Sequence, residues 1–231
     1  MEILIIITIL FYMLSTAAYF AFLFLQKNYA QRIGYFLLLA GFLGHTTTII
    51  YAFAQIGHLP VGNMQETLSL VGWALAGGFL IFQYKFNLKI LGIFAAPMVT
   101  LIVVLATLVS SEPYQTTRIF KNFWLISHVM AIFFGEAFFT LAAGLGMLFL
   151  IQENAIKAKR HQFFFKRLPS LDLLDSTGYA CIVVGFSMLT LGLITGLVYA
   201  KTYWGKFWSW DPKKSGPPSP GSFMPSFCMK D

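Results

Sequence analysis

Long apolar stretches alternate with short polar ones along the whole chain. A membrane-spanning helix needs about 20 mostly apolar residues. Six stretches meet that condition: roughly 3–25, 34–54, 68–84, 90–109, 125–151 and 178–200. Each is expected to be a helix, because a helix satisfies its own backbone hydrogen bonds in lipid. The third is short, and its Gly77-Gly78 pair predicts close packing against a neighbouring helix. Pro169 and Ser170 interrupt the pattern after the fifth stretch, and Asp175 or Ser176 is expected to cap the sixth. The chain therefore reads as an all-α, polytopic membrane helix bundle over residues 1–200, with no soluble domain and no internal repeat.

Composition agrees with the pattern. The 231 residues are 58% hydrophobic and 11% charged, against about 25% charged in soluble domains. The net charge of +7 does not point to nucleic acid, because the basic residues sit in short loops. Lys27, Arg32, Lys85, Lys89, Lys157, Lys159, Arg160, Lys166 and Arg167 fall in alternate loops, while the intervening loops hold only Arg118 and Lys121. The positive-inside rule places the first set in the cytoplasm and the N-terminus outside. The segment after the sixth span then faces outward, although Lys201, Lys206, Lys213 and Lys214 weaken the rule there. The N-terminal MEILIIITIL lacks a basic leader and reads as a first span rather than a signal peptide. Cys181 and Cys228 form no CxxC pair, so neither a dithiol redox role nor covalent c-type haem attachment to this chain is supported.

Four groups of residues have chemistry to offer. Just beyond the sixth span, residues 201–214 contain WGKFWSWDPK, in which Trp204, Trp208 and Trp210 stand with Phe207 and, one residue earlier, Tyr203. Two readings are open. One is an interfacial aromatic belt; the other is a platform on which a flat apolar ligand stacks, Gly205 allowing close approach. His128 lies near the outer end of the fifth span, on the same side as the tryptophans. It is either an axial ligand for haem iron or a boundary histidine bonded to a backbone carbonyl or to water. His45, about midway along the second span, is either a functional intramembrane group or a helix-to-helix hydrogen bond helped by Thr46 to Thr48. Glu136, eight residues after His128, either orients a histidine, relays a proton or pairs with Thr140. Glu66 reads as a first-turn acid of the third span, His58 as a solvated loop residue and His161 as part of a basic loop. No phosphate loop, Ser-His-Asp set or HExxH is present.

The WGKFWSWDPK segment resembles the hallmark of the tryptophan-rich, haem-handling cytochrome c assembly family, of the CcsA/ResC type. GHLPVGNMQETLSLVGW, FWLISHVMAIFF and LPSLDLLDSTGYACIVVGFSMLTLGLITGLVYA agree with it in order. The resemblance covers about residues 33–213. It implies a protein that holds haem b non-covalently and presents it at the outer face for attachment to apocytochrome c. It implies a ResB/CcsB-like membrane partner, and a place as one component of a haem-ligating synthase rather than an enzyme on its own. The membrane is expected to be the bacterial cytoplasmic membrane, or the thylakoid if the chain is plastid-encoded. His128 matches the family's outward histidine, and Trp204, Gly205, Trp208, Trp210 and Asp211 match its haem-handling segment. A regulatory or scaffold protein of the same superfamily, or a transporter using His45 and Glu136, are the alternatives.

The text departs from the family after Lys213. Where the family continues into a further span with an intramembrane histidine, this chain reads KSGPPSPGSFMPSFCMKD. Read one base out of frame, those codons permit E-W-A-S-I-T-W-F-F-Y-A-I-I-L-H-E. The alanine (from Met224-Pro225), leucine (Phe227-Cys228) and final glutamate (Met229-Lys230) are forced by the code. A one-base deletion near Lys213–Lys214 is therefore expected, making 215–231 an aberrant tail and weakening haem transfer. The nucleotide sequence decides this.

Overall fold

The computed structural model describes residues 2–86, 89–109, 123–158 and 168–204. The described residues form six long helices: α1 Glu2–Leu25, α2 Asn28–Ile56, α3 Met64–Phe86, α4 Gly92–Leu108, α5 Phe123–Lys157 and α6 Leu171–Trp204. A single 3-10 turn, Lys89–Leu91, leads into α4. All six helical segments are long and apolar enough to cross a membrane, α4 when counted with that turn. There is no strand among the described residues.

The six expected spans are all present, and most run past the apolar windows at one or both ends. α6 starts earliest relative to expectation. It begins at Leu171, so Asp175 and Ser176 lie inside it rather than capping it. Ser170 takes that role: its Oγ accepts from the Leu173 N–H at 3.4 Å and its carbonyl from the Leu174 N–H at 3.1 Å. At the start of α3, Asn63 Oδ1 accepts the Glu66 N–H at 2.8 Å, and Glu66 Oε2 reaches back to the Gly62 N–H at 2.8 Å. The two bonds satisfy backbone donors at and just before the helix start, in a variant of the capping box displaced by one residue. α2 ends on Gly57, whose φ of 76° returns its N–H to the Phe53 carbonyl at 2.8 Å. That left-handed conformation is where glycine replaces other residues at a helix end.

α1 and α2 pack antiparallel, and small residues set how closely. The rings of Tyr19 and Tyr12 lie on Gly34 and Gly41, where a Cβ would come within 3.0 and 2.8 Å. α3 is the most enclosed helix, with Leu70, Leu75 and Phe79 almost wholly buried. Gly77 and Gly78 face Phe42 of α2 and Phe138 of α5, so the glycine pair does bring helices together. Trp73 stacks on Phe42 with ring centroids 5.5 Å apart and meets Phe134 edge-on at 5.6 Å. Its Nε1–H donates to Thr46 Oγ1 at 2.9 Å. α5 joins the bundle along α3, and α6 packs chiefly against α5.

Candidate functional site: a histidine clamped between two helices

The α5–α6 seam is built from glycine. Gly178, Gly185 and Gly192 recur every seven residues on α6, and Gly196 follows one turn later. Seven residues are nearly two helical turns, so all four share a face. With no side chain there, backbones approach closely. A Cβ on Gly185 would lie 3.1 Å from the Gly135 carbonyl, and one on Gly192 2.8 Å from Ile132.

His128 occupies one end of this seam. It is the sixth residue of α5 and is half-buried. Its ring lies flush on Gly196, where a Cβ would come within 2.6 Å of Cε1 and 2.7 Å of Nδ1. Its Nδ1 is 2.6 Å from the Gly192 carbonyl oxygen. A carbonyl only accepts, so Nδ1 carries the proton, and in the Nδ1–H tautomer the lone pair is on Nε2. That is the donor arrangement of a metal-binding histidine whose other nitrogen is tied to the backbone. Among the described residues, no group of three His, Cys, Asp or Glu is close enough to hold a metal ion. Any metal bound here would have one protein nitrogen from this part of the chain.

The same helix leads to the tryptophans. Trp204 ends α6, eight residues or about 12 Å of helix beyond Gly196. Gly205, Trp208, Trp210 and Asp211 lie outside the described residues, as does His161.

The other candidates separate from this site. His45 is 3% exposed in the middle of the bundle. Its Nε2 is 2.8 Å from Ser69 Oγ of α3 and its Nδ1 3.4 Å from the Tyr12 hydroxyl of α1. It is thus a helix-to-helix connector beside a small cavity of about 30 Å3, whose polar lining residues include Thr8, Thr48, Gln65 and Thr107. Of the neighbouring threonines, Thr46 also joins two helices, its Oγ1 accepting from the Trp73 Nε1–H of α3, while the hydroxyls of Thr46, Thr47 and Thr48 donate back to carbonyls of their own helix.

Glu136 is exposed. Eight residues from His128 is about 80° of rotation around the helix, which turns the carboxylate off the seam that His128 faces. Thr140 bonds its backbone carbonyl at 2.9 Å, so the expected pairing reaches the main chain rather than the carboxylate. No hydrogen bond or ion pair joins Glu136 to His45 or His128. His58 is buried, at 6% exposure, rather than solvated, and its Nδ1 lies 2.9 Å from the Leu59 carbonyl.

Residues 61–216 match the family described as Cytochrome C assembly protein. The chain belongs to the cytochrome c assembly family. The match takes in His128, the glycine seam and the whole tryptophan segment, and residues 217–231 lie beyond it. Among relatives, the chain is 30% identical over 192 residues to a protein of Guillardia theta named Cytochrome c biogenesis protein CcsA. It is 30% identical over 199 residues to a protein of that name from Prochlorococcus marinus strain MIT 9313. A third of that name, from Chlamydomonas reinhardtii, is 30% identical over 176 residues. These alignments take in 74%, 74% and 72% of this chain and 64%, 63% and 48% of the relatives. The chain thus spans less than two thirds of their length.

Proposed function

We propose that this membrane protein serves cytochrome c biogenesis by holding haem b at the outer membrane face for attachment to apocytochrome c. Family membership and the names of its relatives support the process. One observation carries the haem reading: the Nδ1–H of His128 bonded to Gly192, with Nε2 left as a lone pair at the end of the seam nearer the tryptophans. The donor set fits haem iron, for which a single imidazole nitrogen is a common axial ligand.

Haem would supply the iron and the vinyl groups that react with cysteine thiols. His128 would hold the iron through its imidazole. Trp204, Trp208 and Trp210 would offer stacking faces, Gly205 would allow close approach, and Asp211 would add a polar group. A ResB/CcsB-like membrane partner completes the assembly, in which this chain is one component of a haem-ligating complex. Its membrane is the bacterial cytoplasmic membrane, or the thylakoid for a plastid chain.

The test is the absorbance spectrum of the detergent-purified protein made with excess haem. Wild type is expected to show a Soret band that His128→Ala loses. Equal haem content in the two would remove His128 from the site.

A further inference from the structure

The Gly192 carbonyl is over-subscribed. Besides the imidazole at 2.6 Å, it is approached by the Thr195 hydroxyl at 2.9 Å. As an α-helical carbonyl it also serves the N–H four residues on. A carbonyl oxygen has two lone pairs, so three donors compete. The Thr195 hydroxyl has one proton and a second acceptor, the Leu191 carbonyl at 2.8 Å. Its share of Gly192 is therefore adjustable, and so is the share left to His128. Gly196 fixes the remaining freedom, because its bare backbone is the floor on which the ring lies.

We infer that Gly192, Thr195 and Gly196 of α6 are positioning residues for His128: they select its Nδ1–H tautomer, aim Nε2, and set how strongly that nitrogen donates to iron. The inference rests on the haem reading. A stronger Nδ1–H···O bond gives the imidazole more electron density, which favours ferric over ferrous iron and lowers the reduction potential.

The experiment uses the full chain in detergent, with and without added haem. In haem-free protein, 15N spectra of labelled histidine are expected to show His128 protonated at Nδ1; protonation at Nε2 instead would overturn the inference with no haem present. In the haem-loaded protein, Thr195→Val removes a competing donor and is expected to lower the reduction potential, while Thr195→Ser restores the wild-type value. Gly196→Ala pushes a methyl into the ring and is expected to weaken haem binding about tenfold or more. Gly146→Ala on α5, outside the seam, where a Cβ would meet nothing within 4 Å, controls for the substitution itself and keeps wild-type binding. If His128→Ala loses haem but Gly196→Ala binds normally and Thr195→Val keeps the wild-type potential, His128 ligates without help from α6 and the inference fails alone. If His128→Ala keeps wild-type haem, the haem reading itself fails. Should Gly196→Ala not fold, the tautomer and the Thr195 pair still decide.

Discussion

At the scale of single residues, His45 and His128 show two uses of the same side chain. His45 is enclosed and bonded toward two other helices, whereas His128 is half-exposed, with one nitrogen bonded and one not committed by its tautomer. Sequence position alone left both open, because a histidine's role is set by what reaches its second nitrogen. Ser69 and Tyr12 carry no signal in the sequence that pairs them with residue 45. Removing one partner of a buried hydrogen bond costs about 1–3 kcal/mol, whereas replacing both by apolar groups is nearly neutral. Ser69→Ala is therefore expected to lower thermal stability in detergent. The double variant His45→Leu/Ser69→Ala is expected to lose less than the sum of the two singles. Additive losses would show that the 2.8 Å contact does not couple α2 to α3. Gly92 is stricter still: a Cβ there would fall inside the Tyr19 ring.

At the scale of helices, the apolar windows located all six, but their ends needed other physics. Hydropathy marks where a helix meets hydrocarbon, while hydrogen bonding marks where it stops. α3 begins at Met64 because Asn63 Oδ1 accepts from the Glu66 N–H while Glu66 Oε2 accepts from the Gly62 N–H. α6 begins at Leu171, behind Ser170, because LDLLDST is too polar to read as a span and is nonetheless helical. Asn63→Ala is expected to destabilise the protein by about 1 kcal/mol, and Asn63→Asp by much less, as read from unfolding midpoints. Equal losses for both would mean that the side-chain cap contributes nothing. The seven-residue spacing of Gly178, Gly185 and Gly192 is present in the sequence, but reading the chain for apolar spans does not use it. Its meaning depends on α5 lying opposite with His128 in register, which no local pattern encodes. The tryptophan cluster was the plainest motif in the sequence, and the family match spans it, although most of it lies outside the described residues.

At the scale of the whole molecule, charge and packing give one consistent arrangement. Lys27 and Arg32 flank the start of α2, and Lys85 and Lys89 flank the joint between α3 and α4. The two joints meet at one end of the bundle, where Lys89 Nζ donates to Asn28 Oδ1 at 3.1 Å. These two basic joints thus share one face, which the positive-inside rule assigns to the cytoplasm. Topology reporters fused after Lys27 and after Phe86 are expected to report the cytoplasmic side. One fused after Gly62 is expected to report the opposite side. The reverse pattern would place His128 in the cytoplasm and end the proposal of delivery at the outer face.

The length of α6 has a mechanical consequence. Its 34 residues measure about 51 Å, against a hydrocarbon core of about 30 Å. It must lean or protrude, and α5 is the chief surface it leans upon. Sliding one helix past the other by a single residue is a step of about 1.5 Å, enough to part the His128 ring from the Gly192 carbonyl. A bilayer thin enough to tilt α6 relative to α5 is therefore expected to loosen this contact, which histidine 15N spectra in short-chain and long-chain lipids would read.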